Sequence, residues 1–335
     1  MSVPVNLHTH LEGRVRPSTA AELASAAGVP EPTDGWEAAL SLDGPADLTT
    51  YLDKVAASYP FFGTPELLAR IACEAVEDAA ADGCAYLELR FGPATHVRDG
   101  WSVDDVVRAA CEGVRLGVAR SGMPAGIVVA ALRKRSAESN LAVARAAARF
   151  AGDGVVGFDL AGDESVVPQI APFVDCYAVA RAAGLGLTCH AAEAAPGFRA
   201  REAVELLGVT RIGHGAHLAA DPELLRWAAG SGVTVEVCPT SNWFTGAIGS
   251  VRAHPAPVFA AAGVGLVLGD DNPVQTRSPL SAEREVLTTA LGFAPDDLAA
   301  LDARSVEVGF MPDSTRAALR ARAAEMHSNE GPEPS

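Results

Sequence analysis

The feature that most constrains the fold is a regular alternation of short apolar runs with Ala-rich, helix-favouring segments. Each run is bounded by Gly, Pro, Asn or Asp, as buried strands are. Strands that alternate with helices predict parallel βαβ units. Eight units predict an α/β fold of the (β/α)8 TIM-like barrel type, with a doubly wound open sheet as the alternative. The predicted strands are residues 3–10, 84–91, 126–132, 155–162, 184–193, 210–218, 233–241 and 264–271.

The interval between the first and second predicted strands is too long for a single crossover helix. It contains one probable short helix at 18–27 and a further segment at 40–62 before the helix predicted at 65–83. Within 40–62, Leu48, Tyr51 and Val55 recur at helical spacing. We therefore expect an extra helix here, which packs on the barrel and forms a lid over its mouth.

The domain organisation is expected to be simple. Residues 1–325 are predicted to form a single barrel domain, and the polar, Pro-containing tail 326–335 is predicted to be disordered. No apolar run of eighteen residues indicates a membrane span, and no signal peptide is recognised, so the expected location is the cytoplasm.

The charge balance restricts the partners. The formal net charge is −16, with 26 Lys and Arg against 42 Asp and Glu. Such an acidic chain is a poor candidate for binding nucleic acid or an anionic membrane, and it suits an enzyme that acts on a small molecule. The oligomeric state does not follow from the sequence.

Ionisable residues gather at the ends of four predicted strands. In a barrel these ends share one face, where the active site lies. A single histidine at a strand end is more often structural, and a lone Asp often caps a helix, but four such strands together predict a bound metal. The residues are His8 and His10, His190 and Glu193, His214 and His217, and Asp270 and Asp271.

The ligand types indicate the metal. Several imidazoles with one carboxylate and no thiolate favour one Zn²⁺ per chain over Fe²⁺, Mn²⁺ or Co²⁺. The HxH pair, one histidine from each of two further strands and one aspartate give five candidate ligands. These are too many for a catalytic ion that must keep a position open, so one histidine is expected to have another role.

Six motifs are spread over nearly the whole chain. They are LHTHLEG (7–13), GFDLAGDE (157–164), HAAE (190–193), RIGHGAHL (211–218), CPTSN (238–242) and DDNP (270–273). With these motifs, in this order, the chain resembles the adenosine deaminase family of metal-dependent amidohydrolases.

This resemblance implies specific roles. His8, His10, His190 and Asp270 are expected to bind the zinc ion. Glu193 is expected to protonate N1 of the purine, and His214 to lie beside the attacking water. Asp271 is expected to bind N7, the backbone of Gly162 to bind N3, and Glu12 to lie near the sugar. The implied reaction replaces the amino group at C6 of a purine with oxygen and releases ammonia.

Some positions depart from the family pattern. Ala192 stands where the family usually has Gly, and we expect its methyl group to lie close to the ring. Glu12 stands where adenosine-specific members often have Asp, and Leu268 and Gly269 replace the usual residues before the paired aspartates. These departures do not change the predicted reaction class, but they affect which substrate is expected to be preferred.

Several functions remain open at this point. The expected substrate is adenosine or 2′-deoxyadenosine; the alternatives are free adenine and a modified adenine nucleoside such as aminodeoxyfutalosine of menaquinone biosynthesis. Another amidohydrolase with a carboxylated lysine is disfavoured, because neither Lys54 nor Lys134 ends the fourth predicted strand. A catalytically silent purine-binding homologue would be expected to have lost a ligand or Glu193.

Overall fold

The computed structural model describes residues 3–329 of the chain. Within them, eight parallel strands form one sheet in the sequential order β1 to β8. This confirms the predicted (β/α)8 barrel. The strands are β1 (Val5–His10), β2 (Tyr86–Phe91), β3 (Ala125–Leu132), β4 (Val155–Ala161), β5 (Gly186–Ala191), β6 (Arg211–His214), β7 (Thr234–Val237) and β8 (Gly265–Leu268).

The barrel is closed between β8 and β1 by one residue that lies just after β8. The backbone N–H of Asp271 donates to the carbonyl of His8 at 2.9 Å, and the N–H of His10 donates to the carbonyl of Asp271 at 2.7 Å. The closure therefore brings the segment after β8 directly against the two histidines of β1.

The helices surround the sheet and have the boundary residues expected from the sequence. Ser102, Ser136 and Asp221 cap their helices through side-chain oxygens, and Pro occupies a first-turn position in several others. The helices are α1 (Pro17–Ala26), α2 (Gly35–Leu40), α3 (Leu48–Ala56), α4 (Pro65–Ala81), α5 (Val103–Ser121), α6 (Ala137–Arg149), α7 (Val174–Ala182), α8 (Phe198–Leu207), α9 (Pro222–Ser231), α10 (Pro239–Phe244), α11 (Ala256–Ala261), α12 (Pro273–Thr276), α13 (Leu280–Thr289), α14 (Pro295–Val308) and α15 (Asp313–Asn329).

The extra helix predicted between β1 and β2 is α3. Its Leu48, Tyr51 and Val55 are buried, as their spacing predicts. The hydroxyl of Thr49 donates to Asp163 at 2.7 Å, which ties α3 to the segment after β4. The helix thus lies at the mouth of the barrel, while its action as a movable lid stays a prediction.

The C-terminal boundary differs from the expected one. Helix α15 continues to Asn329, so residues 326–329 of the predicted disordered tail are helical. The Ala- and Arg-rich residues 316–324 before this segment have high helix propensity, which carries the helix past the expected boundary. The remaining tail residues, 330–335, lie outside the described residues. No helix of the described chain is both long enough and apolar enough to span a membrane.

Candidate active site

Five predicted site residues converge at the carboxyl ends of four strands. One ligand atom from each of His8, His190, His214 and Asp271 lies within 4.8 Å of the others. His10 joins this cluster, because its Nε2 lies 3.1 Å from Nε2 of His190 and 3.3 Å from Oδ1 of Asp271. His217, by contrast, bonds to the carbonyl of Ala195.

Contrary to the prediction, the structure does not bring Asp270 into this cluster. Its carboxylate forms an ion pair with Arg14 at 2.5 Å. Asp271 lies in the cluster instead, because its backbone pairs with β1 and turns its side chain toward the histidines. The acid that faces the histidines is thus one residue later than predicted, and Asn272 follows it immediately before Pro273.

Backbone strain is concentrated at this site. Among the described non-glycine residues, four have a positive φ, and three of these follow or end strands of the site: Ala192 (58°), His214 (65°) and Asp271 (54°). A left-handed conformation costs on the order of 1 kcal/mol for such residues and persists where surrounding contacts fix it. It explains why glycine is usual at the position of Ala192.

A layer of fully buried charged residues, here called the charged layer, lies beneath the histidines. Oε2 of Glu236 bonds to Nδ1 of His8 at 2.7 Å, and Oδ2 of Asp159 lies 2.9 Å from Nδ1 of His190. Such contacts fix the orientation of metal-binding imidazoles. The charged layer consists of Glu88, Arg90, Asp159, Arg211 and Glu236.

The arginines of the charged layer help to keep Asp159 and Glu236 ionised. Arg90 contacts Asp159 at 3.1 Å and Glu236 at 2.9 Å, and Arg211 contacts Glu236 at 2.7 Å as well as Glu88. Burial alone would raise the pKa of Glu236, but Arg90 and Arg211 hold it well below its ordinary value. The layer therefore presents ionised carboxylates to the histidines above it.

The cluster fits a metal ion. Nε2 of His8 is buried and, among the described residues, has no hydrogen-bond partner, although it faces the other ligand atoms. Burial lowers the pKa of His10 to about 3, which keeps this imidazole neutral. The histidines hold the pKa of Asp271 well below its ordinary value against the effect of burial. The neutral imidazole of His10 and the ionised carboxylate of Asp271 are the protonation states that zinc requires of such ligands.

Glu193 lies beside this cluster in a different environment. It is buried, and its Oε2 lies 3.7 Å from Nε2 of His214. Burial and the nearby charge of Asp271 raise the pKa of Glu193 to about 8. Thr245 donates to its Oε1 at 2.9 Å and Asn242 at 3.4 Å. The site thus holds a carboxylic acid that is protonated at neutral pH.

Glu164 fixes the loop that carries Glu193. Its carboxylate accepts hydrogen bonds from four consecutive backbone N–H groups of residues 192–195, at 2.9, 2.9, 3.0 and 3.2 Å. Arg133 lies 3.7 Å from the same carboxylate. Because Glu164 satisfies these buried donors, it maintains the strained turn at Ala192 and the placement of Glu193.

A chain of hydrogen bonds determines the tautomer of His214. The N–H of Ala256 must donate to Nδ1 of His254, at 3.1 Å. Burial lowers the pKa of His254 to about 3, so this imidazole is neutral and its Nε2 carries the hydrogen that bonds to Oδ1 of Asn242. The amide nitrogen of Asn242 then donates to Nδ1 of His214 at 3.0 Å. A neutral His214 consequently carries its proton on Nε2, the atom that faces Glu193.

A cavity of about 580 Å³ opens above the cluster. Its lining includes the predicted substrate residues Glu12 and Gly162 together with Glu193, Asp271 and Asn272. Ala192 is fully buried and does not line this cavity, so the predicted contact between its methyl group and a purine ring is not supported.

Glu12 is held by a histidine that the sequence left without a role. Its Oε1 accepts from the N–H of Gly92 and from Nε2 of His96, both at 3.1 Å. Burial would raise the pKa of Glu12, but the bond to His96 lowers it below its ordinary value. An ionised carboxylate therefore faces the cavity on the side of β1 and β2.

The functional residues that sequence reasoning missed are mainly those that support the ligands. Glu164 lies in the recognised motif 157–164 and Asn242 in the motif 238–242. Their position within these motifs could have indicated that they have a function. Glu236 and Asp159 lie within apolar strands, where an isolated acid signals a buried partner.

The barrel, the cluster of histidines with an aspartate, and the protonated glutamate define a hydrolase of the amidohydrolase type that acts on C–N bonds. The family model for adenosine deaminase matches residues 4–326. The chain belongs to the adenosine deaminase family.

Relatives agree with this assignment. The adenosine deaminase of Clostridium botulinum strain Okra is 30% identical over 327 residues, covering 96% of this chain and 97% of that protein. The crystal structure of adenine deaminase from Arthrobacter aurescens is 26% identical, with a TM-score of 0.88 over 98% of this chain and all of that one. A zinc-bound amidohydrolase from Burkholderia ambifaria is also 26% identical, with a TM-score of 0.87 over 98% and 91% of the two chains.

Proposed function

We propose that this protein is a zinc-dependent deaminase that converts a 6-aminopurine nucleoside and water into the 6-oxopurine nucleoside and ammonia. The observation that carries the proposal is the protonated Glu193 beside a cluster of metal-binding type, within a cavity of about 580 Å³. The volume falls within the range of small-molecule sites.

We propose that His8, His10, His190 and Asp271 hold one zinc ion per chain. Nitrogen and oxygen donors without a thiolate suit zinc. The ion would supply a nucleophile at neutral pH, since it lowers the pKa of a coordinated water to about 7. His214 is assigned another role, because a neutral imidazole with its proton on Nε2 cannot bind a metal through that atom.

Glu193 would act as the general acid. Attack at C6 of a purine places negative charge on N1, and a carboxylic acid with a pKa of about 8 can give its proton to that nitrogen at neutral pH. Asn242 and Thr245 hold Oε1 of this group, which leaves Oε2 for the substrate. His214 would donate a hydrogen bond from Nε2 to the attacking oxygen and so orient it.

Because Asp271 is assigned to the metal, we move the predicted N7 contact from Asp271 to Asn272. Asn272 is buried and lines the cavity. Because N7 of a purine accepts hydrogen bonds, a neutral amide can donate to it, whereas a carboxylate must first bind a proton. Gly162 and Glu12 are proposed to contact N3 and the sugar, as the family resemblance implies.

A nucleoside is favoured over free adenine because the cavity extends beyond the cluster. Its outer part includes Leu52 and Tyr59 from the segment before α4, and Lys134 from the segment after β3. Adenosine and 2′-deoxyadenosine are the first candidates, and a modified adenine nucleoside such as aminodeoxyfutalosine is the second. The cytoplasm is the proposed location, since the six cysteines are buried free thiols, as a reducing compartment allows.

The proposal is tested by measuring zinc per chain and by following the ultraviolet absorbance of 6-aminopurines mixed with zinc-loaded protein. The panel contains adenine, adenosine, 2′-deoxyadenosine and modified adenine nucleosides. We expect one zinc per chain and turnover of at least one nucleoside faster than adenine. Absence of turnover of every member by the zinc-loaded protein would overturn the proposal.

A further inference from the structure

The outer part of the cavity carries positive charge that the proposed reaction does not use. Lys134 and Arg135 follow the end of β3, are exposed and line the cavity. This placement is unusual for a chain with a net charge of −16. A cation held at a cavity wall is suited to bind a carboxylate or a phosphate.

The two cations are not engaged by strong ion pairs. Within the described residues, the guanidinium of Arg135 has no ion pair. The ammonium of Lys134 lies 3.7 Å from Oδ2 of Asp163. That carboxylate already accepts from Thr49 at 2.7 Å and from the N–H of Ser165 at 3.0 Å. Lys134 is therefore available for another anion.

The backbone that carries these cations is fixed. Buried Arg133 donates to the carbonyls of Val167 and His190, both at 2.7 Å. Asn140 accepts from the N–H of Leu132 at 2.9 Å and donates to the carbonyls of Leu132 at 3.0 Å and Arg135 at 3.3 Å. Because hydrogen bonds fix both ends of the loop 132–135, its backbone keeps Lys134 and Arg135 at the wall of the cavity.

We propose that Lys134 and Arg135 form a subsite for an anionic group, a carboxylate or a phosphate, attached to the sugar side of the substrate. This inference rests on the proposed deaminase function and deepens it. The purine end is assigned to the cluster and Glu193, so a substituent beyond the sugar extends toward the outer wall. Asp53 of α3 also lines the cavity, and its negative charge would repel an anion. The anionic group is therefore expected to lie nearer to the β3 side of the cavity. The subsite therefore favours the second candidate substrate, an adenine nucleoside modified with an anionic group, over adenosine itself.

The test compares kcat/KM for adenosine, adenosine 5′-monophosphate and adenosine-5′-carboxylic acid. We expect the wild type to prefer at least one anionic substrate to adenosine, and the preferred one distinguishes phosphate from carboxylate. The double variant Lys134→Gln/Arg135→Gln is expected to lower the ratio of kcat/KM for that anion to kcat/KM for adenosine by about 100-fold, roughly tenfold per cation. Asp53→Asn is expected to raise the same ratio.

Arg145→Gln serves as the matched control, because Arg145 is exposed on α6 and does not line the cavity. It removes the same charge and should leave the ratio unchanged. Wild type that turns over adenosine faster than both anionic substrates would overturn the inference and leave the deaminase function standing. An unchanged ratio in the double variant, or an equal change in Arg145→Gln, would also overturn it. Failure to deaminate any 6-aminopurine would instead overturn the proposed function.

Discussion

Glu193 and Glu236 are both buried beside the cluster of histidines. The carboxyl group of Glu193 is protonated at neutral pH, whereas that of Glu236 is ionised. Glu236 contacts Arg90 and Arg211, which hold its pKa well below the ordinary value. Glu193 is hydrogen-bonded to neutral Thr245 and Asn242, and burial together with the nearby anionic Asp271 raises its pKa to about 8. Because burial raises the pKa of both groups, the arginines beside Glu236 account for the difference between an ionised layer and a protonated acid.

The two regions accordingly have different functions. The charged layer orients ligands from beneath and must stay ionised, while Glu193 above it must keep and release a proton. The following predictions change one region at a time.

The largest effect is expected for Glu193→Gln. The amide preserves size and hydrogen bonding but cannot give up a proton to the substrate, so kcat/KM should fall by roughly 10³-fold. Zinc per chain, measured by metal analysis, should be unchanged. Loss of zinc from this variant would make Glu193 a ligand and contradict its assignment as the acid.

Glu236→Gln tests the charged layer. Loss of this carboxylate leaves Arg90 and Arg211 incompletely paired and removes the acceptor of His8, so the free energy of unfolding should fall by about 3 kcal/mol. Zinc affinity, measured by competition with a chelator, should fall roughly 10- to 100-fold.

The control is Glu205→Gln, which breaks the exposed pair between Arg201 and Glu205. It should change the free energy of unfolding, measured with urea, by less than about 0.5 kcal/mol. Equal effects of the two substitutions would contradict the role assigned to the charged layer.

Glu164→Gln is expected to disturb the Glu193 loop without touching the cluster. An amide oxygen cannot accept four hydrogen bonds as the carboxylate does, so kcat/KM should fall by roughly 10- to 100-fold with zinc retained. Glu138→Gln, an exposed change on α6, should have no effect. Unaltered kinetics of Glu164→Gln would refute the positioning role.

The pH dependence follows from the raised pKa of Glu193. The protonated form is the active one, so activity is present below the pKa and is lost as the pH rises through about 8. Above that value kcat/KM should fall by about tenfold per pH unit. Zinc per chain is measured at each pH as a control, and an activity that keeps rising to pH 10 would contradict the assignment.

The smallest effect is expected for His254→Ala, which removes the donor to Asn242. Loss of one buried hydrogen bond predicts a decrease in kcat of about tenfold. His254→Gln retains an N–H donor and should recover part of the activity. Nitrogen-15 spectra of labelled histidine should place the proton of His214 on Nε2 in the wild type, and a proton on Nδ1 would refute the hydrogen-bond chain.

Most of the architecture could be predicted from the sequence. Each strand core coincides with a predicted apolar run, because burial of parallel strands requires apolar residues on both faces. The helix at Leu48–Ala56 was also predictable from its periodicity. The tail 326–335 was predicted to be disordered because of its polar composition, but α15 extends to Asn329, since the Ala- and Arg-rich residues before it favour a helix.

The sequence determined the residue types of the site: three strands that end in histidines, one that ends in acids, and Glu193 on the same rim. It could not decide between Asp270 and Asp271, because adjacent residues after a strand differ only in how the chain turns. The tertiary structure made that choice, since the closure of β8 on β1 and the positive φ of Asp271 direct one carboxylate to the histidines and leave the other to Arg14. It also decided the charge states. The arginines that keep Glu236 ionised, and the burial and nearby Asp271 that keep Glu193 protonated, all depend on distant parts of the chain.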